Sequence, residues 1–436
     1  MFTRYFRASA LAFGLCLMAS AVPAFAVTQI PQPLTLDAAL AWAQQYNPAV
    51  RAARLQVERL TGEAIHADVA VPSNPRVELE AGQRSSRLQD STDIGVQVSQ
   101  ELWIAGQGGL RQAAAESDVG AARADYAFLQ ASVQARTRAA FLSRLVAQRA
   151  VDTARQVVDA NDKLATYAQK RLDAGAGTQL EANAATLGQS RAQALLARAR
   201  NRARQAGLVL NDLLAIDPQR RLAIKGDLGF APLDLPTNEQ LLTRAVARRT
   251  DLNAAAQRVV AAQKRLSLAQ RQIIPNLTVF GFYRQEADGK GSGGEDITGV
   301  GIGFDVPILH RYAGERKSAS AQLGQAQLEQ DNLQREVRLQ ILAGISDYDA
   351  ASQQVAALND AILNAAQQTL DLTRRSFAAG QVAAPAITTA QNNLIAVRQD
   401  YLNALSALIA AGTDLERATG GLVVMQSADN SSEPNQ

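Results

Sequence analysis

Cysteine is nearly missing from this sequence: 436 residues hold one, Cys16. It falls in an apolar run that follows Arg4 and Arg7 and precedes Ala24-Phe25-Ala26. That order reads as an export signal over residues 1–26, with the mature chain starting near Val27. The alternative, acylation of Cys16, needs small residues before it, and Phe13-Gly14-Leu15 fit that pattern poorly. Without the signal no thiol is left, which excludes disulfides, a cysteine metal site and a cysteine nucleophile. Histidine is almost as scarce. His66 and His310 are too few and too far apart for a metal cluster, so no metal and no cofactor are expected. No apolar run of about 18 residues follows the signal, so no helix is expected to span a membrane. Charge of one sign is lacking too. The 44 basic and 41 acidic residues are interspersed and leave +3, with no basic stripe for nucleic acid. No Ser-His-Asp order, phosphate-cradling glycine loop or paired-histidine helix motif stands out, which argues against an enzyme. Gly106-Gln107-Gly108-Gly109 lacks the later acidic partner of a nucleotide motif and reads as an elbow between elements.

What is present is alanine, leucine, glutamine and arginine, with aromatics at only 5%. This composition suits long helices whose small residues let neighbours approach closely. The chain is also written twice. The expected layout is a first copy over 27–217, a linker over 218–235, a second copy over 236–420 and a disordered tail over 421–436. Each copy runs helix, strand, strand, very long helix, tight turn, helix. Asn74-Pro75-Arg76-Val77 opens the strands of the first copy and Ile274-Pro275-Asn276-Leu277 those of the second. Leu172-Asp173-Ala174-Gly175 and Phe377-Ala378-Ala379-Gly380 close the two long helices.

The strands are expected near 76–84, 93–103, 276–285 and 297–309. Val77, Leu79 and Ala81 alternate with Arg76, Glu78 and Glu80, and Val300, Ile302, Phe304 and Val306 alternate with Gly301, Gly303 and Asp305. One apolar and one polar or small face is the pattern of a half-buried strand, and the length suits a tilted membrane-spanning strand. The export signal favours the membrane over a soluble sheet. Four strands cannot close a barrel, and open edges in hydrocarbon are prohibitive, so several copies would have to share one. Glu78, Glu80, Gln97, Ser99 and Asp305 would then line water. Phe280, Phe282, Tyr283 and Trp103 are candidates for the interfacial girdles.

The long helices are expected over 108–174 and 312–379, each roughly 100 Å at 1.5 Å per residue. The medium ones are expected over 37–70, 178–215, 237–272 and 384–418, about half that length. Two medium helices end to end match one long helix, as in the wall of a cylinder. Leu333, Val337, Ile341 and Ile345 mark one packing seam. Gly175 and Gly380 would make the turns at the tip farthest from the strands. Thr178 and Glu181 form a capping box. Glu181 and Asp173 are the carboxylates available for an acidic constriction there, although capping explains Glu181 equally well and a solvated surface charge explains Asp173 better.

These features resemble the TolC-type outer-membrane factor family over nearly the whole chain. The matching stretches are Leu34-Thr35-Leu36-Asp37-Ala38-Ala39-Leu40, Asn47-Pro48, Asn74-Pro75, Ser99-Gln100-Glu101-Leu102, the glycine elbow with Arg111, and the turns at Arg171 to Gly175 and Arg375 to Gly380. The strand exit and elbow are nearest the heavy-metal, CzcC-like branch. The resemblance implies a mainly α fold with a transmembrane β-barrel, and a homotrimer pooling twelve strands in outer-membrane lipid. It also implies a tunnel of helices in the periplasm, a periplasmic adaptor protein and an inner-membrane pump of the resistance-nodulation-division type. Gln381-Val382-Ala383-Ala384-Pro385 carries no carboxylate where members often have gating aspartates. Metal or drug efflux and type I polypeptide secretion remain open as cargo. A periplasmic coiled-coil adaptor or scaffold is the alternative of another class.

Overall fold

The computed structural model describes residues 30–85, 90–228, 235–287, 294–358, 360–379, 381–382, 384–421 and 423. The expected signal with Cys16, Pro232 of the linker, loop residues 289–293, Gly380 and nearly all of the expected tail lie outside them. Gln32 to the C-terminus is one unit by contact. In the first copy α1 (Leu36–Tyr46) and α2 (Pro48–Ala67) precede β1 (Arg76–Ser85) and β2 (Asp90–Leu102). Then come α3 (Gln107–Asp173) and α4 (Gln179–Leu213). In the second, α5 (Asn238–Arg248) and α6 (Thr250–Arg271) precede β3 (Leu277–Ala287) and β4 (Gly294–Gly303). Three helices follow: α7 (Ala313–Ala357), α8 (Asp360–Ala378) and α9 (Ala384–Ala418).

Several helices expected to be continuous are broken. The segment expected over 37–70 divides at Asn47, because Pro48 pushes the residue before it to extended backbone. Asn47 then caps α2, its Oδ1 accepting from the amides of Ala49 and Val50. The segment expected over 237–272 divides at Arg249, also extended but with no proline after it. The second long helix, expected over 312–379, is split between α7 and α8. α7 ends with Leu358 as its cap at φ −101°. β4 stops at Gly303 rather than near 309. Pro307 follows, which cannot donate to a strand ladder.

α3 has 67 residues, roughly 100 Å of uninterrupted helix. It packs against α1, α2 and α4 of its own copy and against α6 and α9 of the other. Its buried positions are rich in alanine, including Ala114, Ala121, Ala124, Ala135, Ala140 and Ala154, so neighbouring backbones lie close. A second core joins α5, α7 and α9 through Leu241, Val337, Ile341, Ile345, Tyr348 and Leu415. Three of the four seam residues read from the sequence are there, and Leu333 packs on the edge of it. Cutting Ile341 or Leu415, both fully buried, to alanine should cost about 2–5 kcal/mol.

Candidate channel-lining sheet and helical tip

The four strands form one antiparallel sheet in the order β1-β2-β3-β4, so β1 and β4 are its edges. The register pairs Glu78 with Gln97 and Arg76 with Ser99, and sets Glu80 opposite Gly95. Ser99 faces Phe280, Gln97 faces Phe282 and Gly95 faces Arg284. Phe280 and Phe282 in turn face Gly301 and Gly299. These positions share one face, which carries Glu78, Glu80, Gln97 and Ser99 together. Arg76 pairs with Glu78 at 3.0 Å and Arg284 with Glu80 at 3.5 Å.

Two expectations are corrected here. Phe280 and Phe282 do not belong to a lipid-side girdle. They lie on the polar face, their rings over the two glycines. A Cβ on Gly301 would stand 2.5 Å from the Phe280 ring and one on Gly299 2.7 Å from that of Phe282. The sequence signal was available: aromatics on one strand and glycines on the next, both with period two. Asp305 is likewise not part of the sheet. It lies past the end of β4 in a cleft of about 1350 Å³ with Gln107, Arg111, His310 and Tyr312. His310 contacts Glu315 at 3.0 Å, and His66 is exposed at the end of α2.

The opposite face is apolar and uncovered. Leu79 is 80% exposed, Val300 89% and Ile302 66%, with Val77, Ile94 and Val98 also exposed. Tyr283 shares this face, as its register with Val96 and Thr298 requires. An apolar patch this continuous calls for a nonaqueous neighbour. Trp103, the remaining girdle candidate, packs on the elbow. A Cβ on Gly108 would stand 2.6 Å from its ring, and Arg111 lies 5.6 Å from the ring centroid. Gly106 supplies the left-handed turn (φ 70°) that starts α3. Arg271 donates to the Ala105 carbonyl beside it at 2.7 Å.

At the far end of α3, Gly175 adopts φ 67°. The Ala176 amide donates to the Arg171 carbonyl at 2.8 Å and the Gly175 amide to that of Leu172 at 3.0 Å. This paired closure satisfies the last carbonyls of the helix. In the second copy the Gln381 amide donates to the Ser376 carbonyl at 2.9 Å, the counterpart of the first bond. Glu181 completes the capping box: its amide donates to Thr178 Oγ1 and its carboxylate accepts from the Thr178 amide, both at 3.2 Å. Asp173 is exposed and accepts from Gln169 at 2.9 Å. The two carboxylates are thus not brought together on a common partner.

Glu181 also borders a cavity of about 220 Å³ where all four tip helices meet. Tyr167 of α3, Phe377 of α8 and Pro385 of α9 line it, with the two rings edge to face at 6.5 Å. In the sequence Phe377 is legible only as a turn marker and Tyr167 not at all. A lone aromatic on a long helix has no partner until the fold supplies one.

The sequence model of the outer membrane efflux protein family matches residues 40–215 and again residues 241–421. The chain belongs to the outer membrane efflux protein family. The double match falls on the two copies described above. Among its relatives is outer membrane efflux protein BepC of Brucella suis, 28% identical over 341 residues, 76% of this chain and 73% of that one. Cobalt-zinc-cadmium resistance protein CzcC of Cupriavidus metallidurans is 24% identical over 401 residues, 92% of this chain and 93% of that one. In fold the chain is similar to the CmeC outer membrane channel of Campylobacter jejuni, with a TM-score of 0.77 over 88% of this chain and 85% of that one at 14% identity. An outer membrane efflux protein resides in the outer membrane and extends into the periplasm. Members of the family are channels. The membership sets aside the adaptor or scaffold alternative.

Proposed function

We propose that this chain is the passive exit duct of a tripartite efflux system, with three copies pooling their strands into one barrel. A periplasmic adaptor and an inner-membrane pump of the resistance-nodulation-division type supply the energy. The observation that carries this reading is the sheet. It has four strands, two unpaired edges and an exposed apolar face. In hydrocarbon each orphan edge group costs several kcal/mol, so the sheet must close on other copies. Two copies would make eight strands, an interior that side chains fill. Three make twelve, and the face bearing Glu78, Glu80, Gln97 and Ser99 then surrounds water. Asp305 would lie at the inner mouth, where the barrel passes into the helices.

Heavy-metal cations are the proposed cargo. What supports this is the name and the near full-length coverage of the cobalt-zinc-cadmium resistance relative. Deleting the gene should then sensitise cells to cobalt, zinc or cadmium salts. Sensitivity to organic toxins alone would favour drug efflux. The duct itself is tested by labelling in outer membranes. Gln97→Cys should react with a water-soluble thiol reagent, while Val300→Cys should resist it and respond to a lipid-borne quencher. Free reaction of Val300→Cys with the water-soluble reagent would overturn the barrel.

A further inference from the structure

The two copies touch each other inside one chain, and that contact forecasts how separate chains touch. α4 and α9 are both 35 residues long, and Gln179 and Leu213 of one correspond to Ala384 and Ala418 of the other. The offset is 205 (384 − 179 and 418 − 213) and also relates Gly175 to Gly380. α3 of the first copy packs on α9 of the second. Along that seam Arg138 pairs with Glu416, and Arg398 donates to Gln156 at 3.4 Å. Between those two links lie Leu142 on α3 and Leu405 and Ile409 on α9, exposed by 3%, 1% and 1%.

The same seam is open on the outer flanks of the chain. α7 corresponds to the first part of α3. Among the described residues it packs chiefly on α5, α6 and α9, all of its own copy. The residue corresponding to Leu142 is Asp347, which is exposed. Those corresponding to Leu405 and Ile409 are Arg200 and Arg204 on α4, also exposed. Buried apolar residues of the inner seam are thus replaced by an acid on one free flank and two bases on the other. Arg200 and Arg204 border a cleft of about 1200 Å³ that Arg144, Arg155, Arg220 and Arg221 also line. The one carboxylate lining it, Asp152, is already paired with Arg155 at 3.2 Å. Asp347 has no ion pair among the described residues.

We propose that α7 of one copy docks along α4 of the next, with Asp347 seated against Arg204 of that second copy. The occupant of the arginine cleft is therefore another copy of this chain. The contact joins two different surfaces, and under the threefold rotation proposed above it closes into a ring. A guanidinium fork meets a carboxylate with two parallel hydrogen bonds, which fixes the register of a seam that apolar packing alone would leave free to slide. The inference rests on the threefold reading above and adds the pairing residues to it.

Charge reversal tests it on the full-length protein in detergent. Asp347→Arg and Arg204→Asp should each lower the temperature at which the assembly dissociates into single chains. The double variant Asp347→Arg/Arg204→Asp should recover at least half of the combined loss. Single variants with no effect, or a double variant as weak as the sum of its parents, would overturn the pairing while leaving the threefold assembly standing. Should a reversed variant fail to fold, Asp347→Cys combined with Arg204→Cys gives an independent reading. Disulfide-linked dimers and trimers on a non-reducing gel are expected, and single chains only would contradict the proposal. A native protein that runs as a monomer would instead sink the threefold reading.

Discussion

Asn47 and Arg249 hold the same place in the two copies and meet the same need with different chemistry. Each breaks its helix, and each ties the break to the end of the returning helix. Asn47 Nδ2 donates to the Leu213 carbonyl at 2.9 Å, and Arg249 Nη1 to the Ala418 carbonyl at 3.1 Å. Arg249 also grips Asp251 through Nε and Nη2 and lies 4.9 Å from the Phe128 ring centroid. Asn47→Ala should therefore cost about 1–2 kcal/mol, the scale of a lost helix cap. Arg249→Met should cost about 3–5 kcal/mol, because it strands the buried Asp251 carboxylate. Denaturant unfolding of the two variants side by side checks the ordering, and equal losses would contradict it. The Asn47 break has a sequence signal, Asn-Pro, that the expected continuous helix over 37–70 did not use. The Arg249 break has no such signal, because its cause is a partner 169 residues away.

Glu416 is the other buried charge with a consequence. Burial lifts its carboxyl above the ordinary range, and Arg138 beside it pulls the other way. The folded chain then holds that proton more tightly than the unfolded one. Its contribution to stability is complete below the unfolded value and is lost as pH rises through the raised folded value. Relative to Glu416→Gln, the native protein should lose stability as pH rises from the ordinary carboxyl range through the raised folded value. A difference that stays constant or reverses sign across that range would show that Arg138 dominates.

At the scale of elements, the sheet joins close packing to chemistry. Phe280 and Phe282 need glycine opposite them on β4, so the face that carries the carboxylates of β1 is walled by aromatics over bare backbone on β3 and β4. Gly301→Val should place methyl groups inside the Phe280 ring and reduce the yield of folded protein. Phe280→Ala in the same chain should restore part of it. Protease resistance of the membrane fraction reads both, and a Gly301→Val protein that folds normally would mean the ring swings aside. Strand alternation, the twofold repeat and the long helices were legible because each is periodic over many residues. The breaks at Leu358 and Arg249, and the early end of β4, were not. Each is one local event inside a run whose average composition still favours helix or strand.

For the whole molecule, the sheet and the tip lie at opposite ends of α3, roughly 100 Å apart. The tip is where a duct can be narrowed without disturbing a barrel. Glu181 combines a structural duty, capping α4, with a place on the cavity between the two hairpins. Three copies would concentrate negative potential there. Glu181→Gln should lower cation preference in single-channel recordings while keeping the assembly, since glutamine can still complete the capping box. Unchanged selectivity would leave Glu181 as a helix cap alone. Residue types at the tip were legible from the sequence. Their grouping was not, because Tyr167 and Phe377 meet only when the hairpins of both copies lie side by side.

The central claim is that each chain supplies a third of one closed barrel, and native mass measurement of the protein extracted from outer membranes in mild detergent tests it most directly. The account predicts an assembly of three chains, stable without any partner protein. A stable single chain, or an assembly of two, would contradict it, because neither closes a twelve-stranded barrel from four-stranded sheets.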